Sequence, residues 1–307
     1  MKYVKIFLVT ALAAIGFFSC KGVNKAEKAV LDTPTAGESV IYVDNTLEPV
    51  VEDVLAVFHS VYDRAHITQV NSTETGVVNA LLKDSTTVVV MPRLLTDEEE
   101  AYFKRRKITP EVTQFATDAI ALITNKAAKD TVVELAEVLK VIKGQSSDKV
   151  RKLVFDNANS STIRHLMREA GTTIVPTQNV YSLKTNEEVI RYVHDNPGAI
   201  GVIGVNWLSQ PSQKMAQIVS DIAVLAVDNV KIDKGPKKYY RPTQSNIAMG
   251  SYPLTRKVYV LNYTGRDGLG MGFATYIGAF EGQRIILKSG LLPVEIPTRQ
   301  VNVRGEL

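Results

Sequence analysis

The chain contains a single cysteine, Cys20, among its 307 residues. A lone thiol excludes an internal disulfide and a cysteine-based metal centre. Basic side chains exceed acidic ones by only four charges, too small a surplus to indicate a nucleic-acid-binding surface. The histidines show no metal-ligand spacing, and no Gly-x-Ser-x-Gly nucleophile motif occurs. We therefore expect no bound metal, no cofactor and no catalysed reaction.

The N-terminal apolar run is too short to cross a bilayer. It extends from Ile6 to Phe18, about 13 residues, whereas a spanning helix needs roughly 20. Two lysines precede the run and a serine follows it, which is the order of a secretory signal. Residues 1–19 are therefore predicted to be a signal peptide. The segment resembles a bacterial lipoprotein signal, and the resemblance implies a lipid on Cys20; a plain signal with an incidental cysteine is the alternative.

The rest of the chain alternates short apolar strands with amphipathic helices. Residues 20–37 are polar and predict a flexible tether. A strand at Ser39–Val43 is followed by a helix opened by Pro49, and the same pattern continues to a buried strand at 87–91. This alternation is typical of an open α/β sheet.

The pattern restarts further along the chain. A strand is predicted at Ala119–Thr124, a helix at Thr131–Ile142, and a late helix from Gly272 to about Lys288. We therefore predict an α/β protein with two lobes and a ligand cleft between them. Lobe I would comprise 38–116 plus 232–307, and lobe II would comprise 117–231.

Three polar loops each follow a strand and precede a helix. Their hydroxyl-bearing residues are Thr46 in the first loop, Ser72 and Thr73 in the second, and Ser160, Ser161 and Thr162 in the third. A helix N-terminus presents unsatisfied N–H groups and a partial positive charge, so it suits an anion. The same residue types are also ordinary helix N-caps. Arg93 could add a forked cation to such a site or form a surface ion pair with Asp97 or Glu98.

The order of these segments resembles the phosphate-binding subunits of bacterial ABC transporters, which have the type II periplasmic binding-protein fold. The resemblance extends from about Glu38 to the C-terminus. Its markers include the three loops, Pro92-Arg93-Leu94, the stretch Thr117–Asn125, Gly198–Gly201 and Tyr252–Arg256. The resemblance implies that Thr46, Leu47, Ser72, Thr73, Arg93, Ser160, Ser161 and Thr162 hold the ligand.

Two positions depart from that family's pattern. Ser161 replaces the glycine of a Ser-Gly-Thr loop, and Asp156 stands where many members carry an arginine. The resemblance implies a monomeric lipoprotein of the bacterial cell envelope that passes a small oxyanion, phosphate first, to ABC permease subunits. The alternative, motivated by Asp156, is a lipoprotein that has kept the fold but binds a protein or surface polymer.

Overall fold

The computed structural model describes residues 32–232 and 235–297. The predicted signal peptide, Cys20 and most of the predicted tether lie outside the described residues. Within the described ranges, no helix combines the length and the apolar character that crossing a bilayer requires.

Strands and helices alternate through most of the chain. The strands are β1 (Gly37–Asp44), β2 (Ala65–Ser72), β3 (Val88–Met91), β4 (Glu111–Asn125), β5 (Val132–Val133), β6 (Leu153–Phe155), β7 (Val180–Ser182), β8 (Ile200–Gly204), β9 (Ile222–Val224), β10 (Ala226–Asp228), β11 (Tyr239–Tyr240), β12 (Thr255–Asn262) and β13 (Leu292–Pro293). The helices are α1 (Glu48–Val61), α2 (Glu74–Leu82), α3 (Asp97–Arg105), α4 (Leu135–Ile142), α5 (Ser161–Ala170), α6 (Asn186–Asp195), α7 (Asn206–Ser209), α8 (Ala216–Ser220), α9 (Gln244–Ala248), α10 (Leu269–Gly278) and α11 (Phe280–Lys288). Short 3-10 turns occupy Asn45–Leu47 and Lys126–Ala128.

The main sheet is mixed and is divided by one long strand. Its order is β2-β1-β3-β12-β4-β8-β6-β7, with β13 and β9 paired to β4 beside this path. The first part of β4 pairs antiparallel with β12, and its later residues Ile120–Ile123 pair with β8. The chain thus forms a two-lobed α/β fold, with β1, β2 and β3 in lobe I and β6, β7 and β8 in lobe II. The residue limits of the lobes remain a prediction.

Apolar spacing explains how α1 packs. Val50, Val54 and Phe58 recur on one face of the helix and are fully buried. Pro49 lies in the first turn, where its missing N–H leaves no helical hydrogen bond unmade. The ring of Phe58 packs edge-on against that of Tyr276 in α10, with centroids 5.2 Å apart. These contacts hold α1 against the core and against α10.

Two predicted helices differ from those observed. The helix expected at Thr131–Ile142 begins at Leu135, because Val132 and Val133 pair with β10 and the Asp228 carboxylate accepts the Leu135 N–H at 2.6 Å. The helix expected from Gly272 to Lys288 is two helices that meet at Ala279, whose backbone is extended. Local sequence favours continuity in both places, and pairing with distant residues overrides it.

Candidate functional site

The first predicted loop forms a tight turn held by its own carboxylate. Asp44 ends β1, and its Oδ1 accepts hydrogen bonds from the backbone N–H of Thr46 at 3.0 Å and from the Thr46 hydroxyl. Both Thr46 and Leu47 are buried. The turn therefore presents the Thr46 side chain to the protein interior at the start of α1, while Leu47 belongs to the apolar core.

The third predicted loop begins α5. Ser160 is the N-cap, and its hydroxyl accepts the backbone N–H of Thr162 at 3.3 Å. Ser160, Ser161 and Thr162 are all buried. The capping interpretation therefore holds for Ser160, but it leaves the Ser161 side chain free for a distant contact.

That contact joins the two loops. The Ser161 hydroxyl donates to Asp44 Oδ1 at 2.8 Å and lies 3.2 Å from the Thr46 hydroxyl. The turn after β1 and the start of α5 follow strands that lie on opposite sides of β4 in the main sheet. The structure thus brings together the first and third of the three predicted loops.

Arg256, which the sequence interpretation did not include among the site residues, lies at the centre of this contact. Its Nη1 donates to the Ser161 hydroxyl at 2.7 Å, and its Nη2 donates to the Thr46 hydroxyl at 2.8 Å. The guanidinium also pairs with Asp118 Oδ2 through Nε and Nη2, each at 2.8 Å. Arg256 and Asp118 are register partners on β12 and β4. Both residues belong to stretches that carry the family resemblance, Thr117–Asn125 and Tyr252–Arg256, but the resemblance assigned neither of them to the ligand.

Together these residues form a buried polar group, here called the buried cluster. It consists of Asp44, Thr46, Asp118, Asp156, Ser160, Ser161, Thr162 and Arg256, all of them buried. Asp156 directly follows β6, and its Oδ2 accepts a hydrogen bond from Nδ2 of the Asn157 side chain at 2.8 Å. One oxygen atom each of Asp44, Asp118 and Asp156 has no hydrogen-bond partner in the described part of the chain.

Burial dominates the electrostatics of the buried cluster. It raises the pKa of the Asp44 and Asp118 carboxyls, and the Arg256 charge acts against this rise. Burial also raises the pKa of Asp156 to about 6, and the nearby Asp44 charge adds to the effect. Three carboxyls therefore lie near one guanidinium, and burial favours the protonated form of each.

The second predicted loop has separate contacts. Thr73 caps α2 by accepting the Gly76 N–H at 3.1 Å. A side chain at Gly76 would place its Cβ 2.1 Å from the Ser72 hydroxyl, so that hydroxyl lies against the first turn of α2. Within residues 32–232 and 235–297, no hydrogen bond joins the side chain of Ser72 or Thr73 to the buried cluster. Arg164 of α5 reaches this loop by donating to the Thr75 hydroxyl at 2.8 Å.

Arg93 is engaged by two acidic residues. Its Nε contacts Glu74 Oε1 at 2.8 Å, and its Nη1 and Nη2 contact the two carboxylate oxygens of Glu99 at 2.7 and 3.0 Å. An ion pair is therefore present, with Glu74 and Glu99 as partners instead of Asp97 or Glu98. The part of Arg93 in holding an anion remains a prediction.

No group of three or more His, Cys, Asp or Glu in residues 32–232 and 235–297 is arranged to hold a metal ion. The buried cluster is a set of hydrogen-bond donors and acceptors. Its donors are the guanidinium, four hydroxyls and the start of α5, and its acceptors are carboxylate oxygens.

Comparison with known proteins identifies the family. Residues 29–279 match the family described as PBP superfamily domain, and the chain belongs to that superfamily of periplasmic binding-protein folds. No curated protein matches the sequence.

Solved structures share the fold at low identity. One is a substrate-binding protein assigned to phosphate ABC transporters from Clostridium perfringens, with bound phosphate (18% identity, TM-score 0.69, 84% of this chain and 100% of that chain covered). An ABC-type phosphate transport receptor from Vibrio cholerae is similar (17%, TM-score 0.62, 84% and 100% covered). The regulatory domain of CcmR from Synechocystis with 2-PG also matches (13%, TM-score 0.52, 78% and 95% covered).

Proposed function

We propose that this chain is a cell-envelope binding protein that captures a small, proton-bearing oxyanion, phosphate first, in the buried cluster. The observation that carries the proposal is the mixture of donors and acceptors there. Arg256 and the hydroxyls of Thr46 and Ser161 converge from two lobes, beside buried carboxyl oxygens of Asp44 and Asp156 that lack partners in the described residues.

The donors suit the oxygen atoms of an oxyanion. A guanidinium and a helix N-terminus both favour negative charge, and the ten-residue α5 points its first N–H groups at the buried cluster. Each charge-assisted hydrogen bond contributes about 1.5–3 kcal/mol, while dehydration of the anion opposes binding. The hydroxyls of Thr46 and Ser161 donate to Asp44 Oδ1 in this structure, so binding requires them to rotate toward the ligand.

The acceptors select for a proton on the ligand. Phosphate near neutral pH carries at least one proton. It can therefore donate a hydrogen bond to a carboxylate oxygen of Asp44 or Asp156. Sulfate has no proton to offer, so its oxygens would face these carboxylates with repulsion. The buried cluster therefore favours phosphate over sulfate.

The likeness to phosphate-binding structures supports the same ligand class, since the Clostridium perfringens protein holds phosphate on a similar fold. Delivery to ABC permease subunits by a monomer follows from this proposal, as does a location on the outer side of a bacterial membrane.

The proposed site is tested with two variants and calorimetry. Full-length protein in mild detergent is unfolded and refolded to remove bound ligand, then titrated with phosphate. Thr46→Val and Ser161→Ala, combined, are expected to weaken binding by at least about a hundredfold, since each removes a donor to the ligand. Ser60→Ala, an exposed hydroxyl on α1, is the matched control and leaves the affinity unchanged. Equal affinity in the double variant would refute this site.

Membrane attachment is proposed through a lipid on Cys20. Intact-mass measurement of the purified protein should show loss of residues 1–19 and the added mass of acyl chains. Cys20→Ser should move the protein from the membrane fraction to the soluble fraction. A mature protein of unmodified mass in the wild type would contradict the lipid.

The second candidate is a binding protein that no longer takes an anion. Asp44 Oδ1 already accepts three hydrogen bonds, including both hydroxyls expected to hold the ligand. An internal carboxylate of this kind can satisfy the donors permanently, leaving the fold to bind a protein or surface polymer. Under this alternative, phosphate, sulfate, arsenate and molybdate all leave the melting temperature of the folded protein unchanged.

A further inference from the structure

A cavity separate from the buried cluster lies between α1 and the α6–α8 region. Its volume is about 410 Å³, which is within the range of small-molecule sites. It is lined by Glu48, Pro49, Glu52, Asp53, Thr185, Glu187, Ile190, Trp207, Gln210, Pro211, Ser212 and Met215. We call it the acidic pocket. Its walls come from α1 in lobe I and from α6 and residues 207–215 in lobe II, so an occupant would contact both lobes.

The charged residues of the acidic pocket are all of one sign. Four carboxylates line it, from Glu48, Glu52, Asp53 and Glu187, and no Lys, Arg or His is among the lining residues. No ion pair formed by any of these four occurs in the described part of the chain. This contrasts with Glu74 and Glu99, which share Arg93. Negative charge in the acidic pocket is left without a counter-ion from the protein.

The rest of the lining combines polar side chains from Thr185, Gln210 and Ser212 with an apolar part that includes the only tryptophan of the chain, Trp207. Its indole N–H donates to the Thr46 carbonyl at 3.2 Å, which fixes the orientation of the ring. Ile190 and Met215 are buried beside it. Tryptophan is the aromatic side chain that attracts cations most strongly, and its neighbours suit a hydrocarbon stem.

The state of Glu48 reflects the same charge imbalance. Burial, together with the charges of Glu52 and Glu187, raises its pKa to about 7, and a hydrogen bond with Asn71 opposes the rise. Burial also raises the pKa of Asp53 and, with the Asp53 charge, that of Glu52. A cation in the acidic pocket would relieve this repulsion and favour the charged form of all these groups.

We propose that the acidic pocket binds a small organic cation, an aliphatic polyamine whose ammonium groups lie beside the four carboxylates and whose hydrocarbon stem lies against Trp207 and Ile190. A metal ion fits less well, because no three acidic residues in the described ranges are arranged to hold one between them. The proposal is independent of oxyanion binding, since no residue of the buried cluster lines this cavity.

The test uses the fluorescence of Trp207, which lines the acidic pocket and is the only tryptophan of the chain. Full-length protein in non-ionic detergent is titrated with spermidine at fixed ionic strength. We expect a saturable change in emission, with Mg²⁺ and the neutral 1,5-pentanediol giving none. Glu187→Gln is expected to weaken spermidine binding about tenfold, because one ionic contact is lost. Glu98→Gln, an exposed carboxylate on α3, is the matched control.

Calorimetry at pH 7 adds a second readout. Glu48 is surrounded by Glu52 and Asp53 of α1, by Glu187 of α6 and by Asn71. Bound spermidine should favour the charged form of Glu48 and so release a fraction of a proton from it. The heat of binding at pH 7 should therefore depend on the ionisation heat of the buffer. The proposal is overturned if spermidine gives no saturable signal, if Mg²⁺ reproduces it, or if Glu187→Gln leaves it unchanged. A lysine-rich peptide that binds where spermidine does not would identify a protein partner instead.

Discussion

Asp44 and Glu48 stand on either side of the three-residue turn Asn45–Leu47, yet their carboxyls have opposite surroundings. Asp44 is in the buried cluster, where a guanidinium and two hydroxyls compensate it. Glu48 is in the acidic pocket, where its nearest charges are other carboxylates. One short turn thus separates a site that suits a protonated anion from one that suits a cation. The proposed ligand preferences follow from the partners of each carboxyl group, because aspartate and glutamate carry the same functional group.

Removing the cation of the buried cluster should have the largest effect. Arg256→Met leaves Asp118 buried without its ion-pair partner, and the free energy of unfolding is expected to fall by about 3–5 kcal/mol. Urea denaturation measures the change. Adding Asp118→Asn to that variant should restore part of the loss, because the unpaired charge is removed. Arg105→Met, an exposed arginine of α3, serves as the control. If the free energy of unfolding of Arg256→Met changes by less than about 0.5 kcal/mol, the ion pair does not stabilise the fold.

An intermediate effect is expected at Asp156, and it depends on pH. Burial raises the pKa of this carboxyl from 3.8 to about 6, so the folded state binds more protons than the unfolded state between these values. Stability is therefore lost as the pH rises through this window. Asp156→Asn removes the penalty and should stabilise the protein above pH 6 by roughly 2–3 kcal/mol, with no difference at pH 4.

Urea midpoints of the wild type and of Asp156→Asn, measured at pH 4 and pH 8, check this prediction. Asp148→Asn, at an exposed position, should show no such pH-dependent gain. A parallel pH dependence for the wild type and Asp156→Asn would mean that Asp156 is not the group that responds.

The smallest effect is expected in the acidic pocket. Glu52→Gln removes the charge that, after burial, contributes most to the raised pKa of Glu48. That pKa should fall from about 7 by up to about one unit, with stability at pH 8 rising by a few tenths of a kcal/mol. Carbon-13 NMR titration of the Glu48 carboxyl measures the shift. An unchanged pKa would mean that burial alone sets it, and the argument for a missing cation would weaken.

Local sequence was enough to predict several of the strands, the start of α1 and the three hydroxyl loops, whereas the helix starts expected at Thr131 and Gly272 were wrong. Apolar periodicity located β1, α1 and β2, and Ser160 caps α5 as residues of its type do. The likeness to phosphate-binding subunits came from the order of such segments. What the family match shows is the fold and the superfamily, and both agree with that prediction.

The remaining features depend on contacts between distant parts of the chain. Arg256 joins the buried cluster because the register of β12 on β4 places it beside Asp118, and a single sequence does not reveal that register. The partners of Arg93 include Glu74, which only the packing of α2 brings near. The acidic pocket requires α1 and α6 to meet across the lobes, so neither helix reveals it alone.

The most direct test of the account is a calorimetric comparison of phosphate and sulfate on refolded, ligand-free, full-length protein in detergent at pH 7. We expect micromolar or tighter binding of phosphate and no detectable binding of sulfate. The reason is that carboxylate oxygens of the buried cluster can accept a hydrogen bond, which only the proton-bearing phosphate can donate. Equal binding of the two anions would contradict the role of Asp44 and Asp156. Absence of binding by either would contradict anion capture and leave the internal hydrogen bonds of Asp44 as the permanent state of the buried cluster.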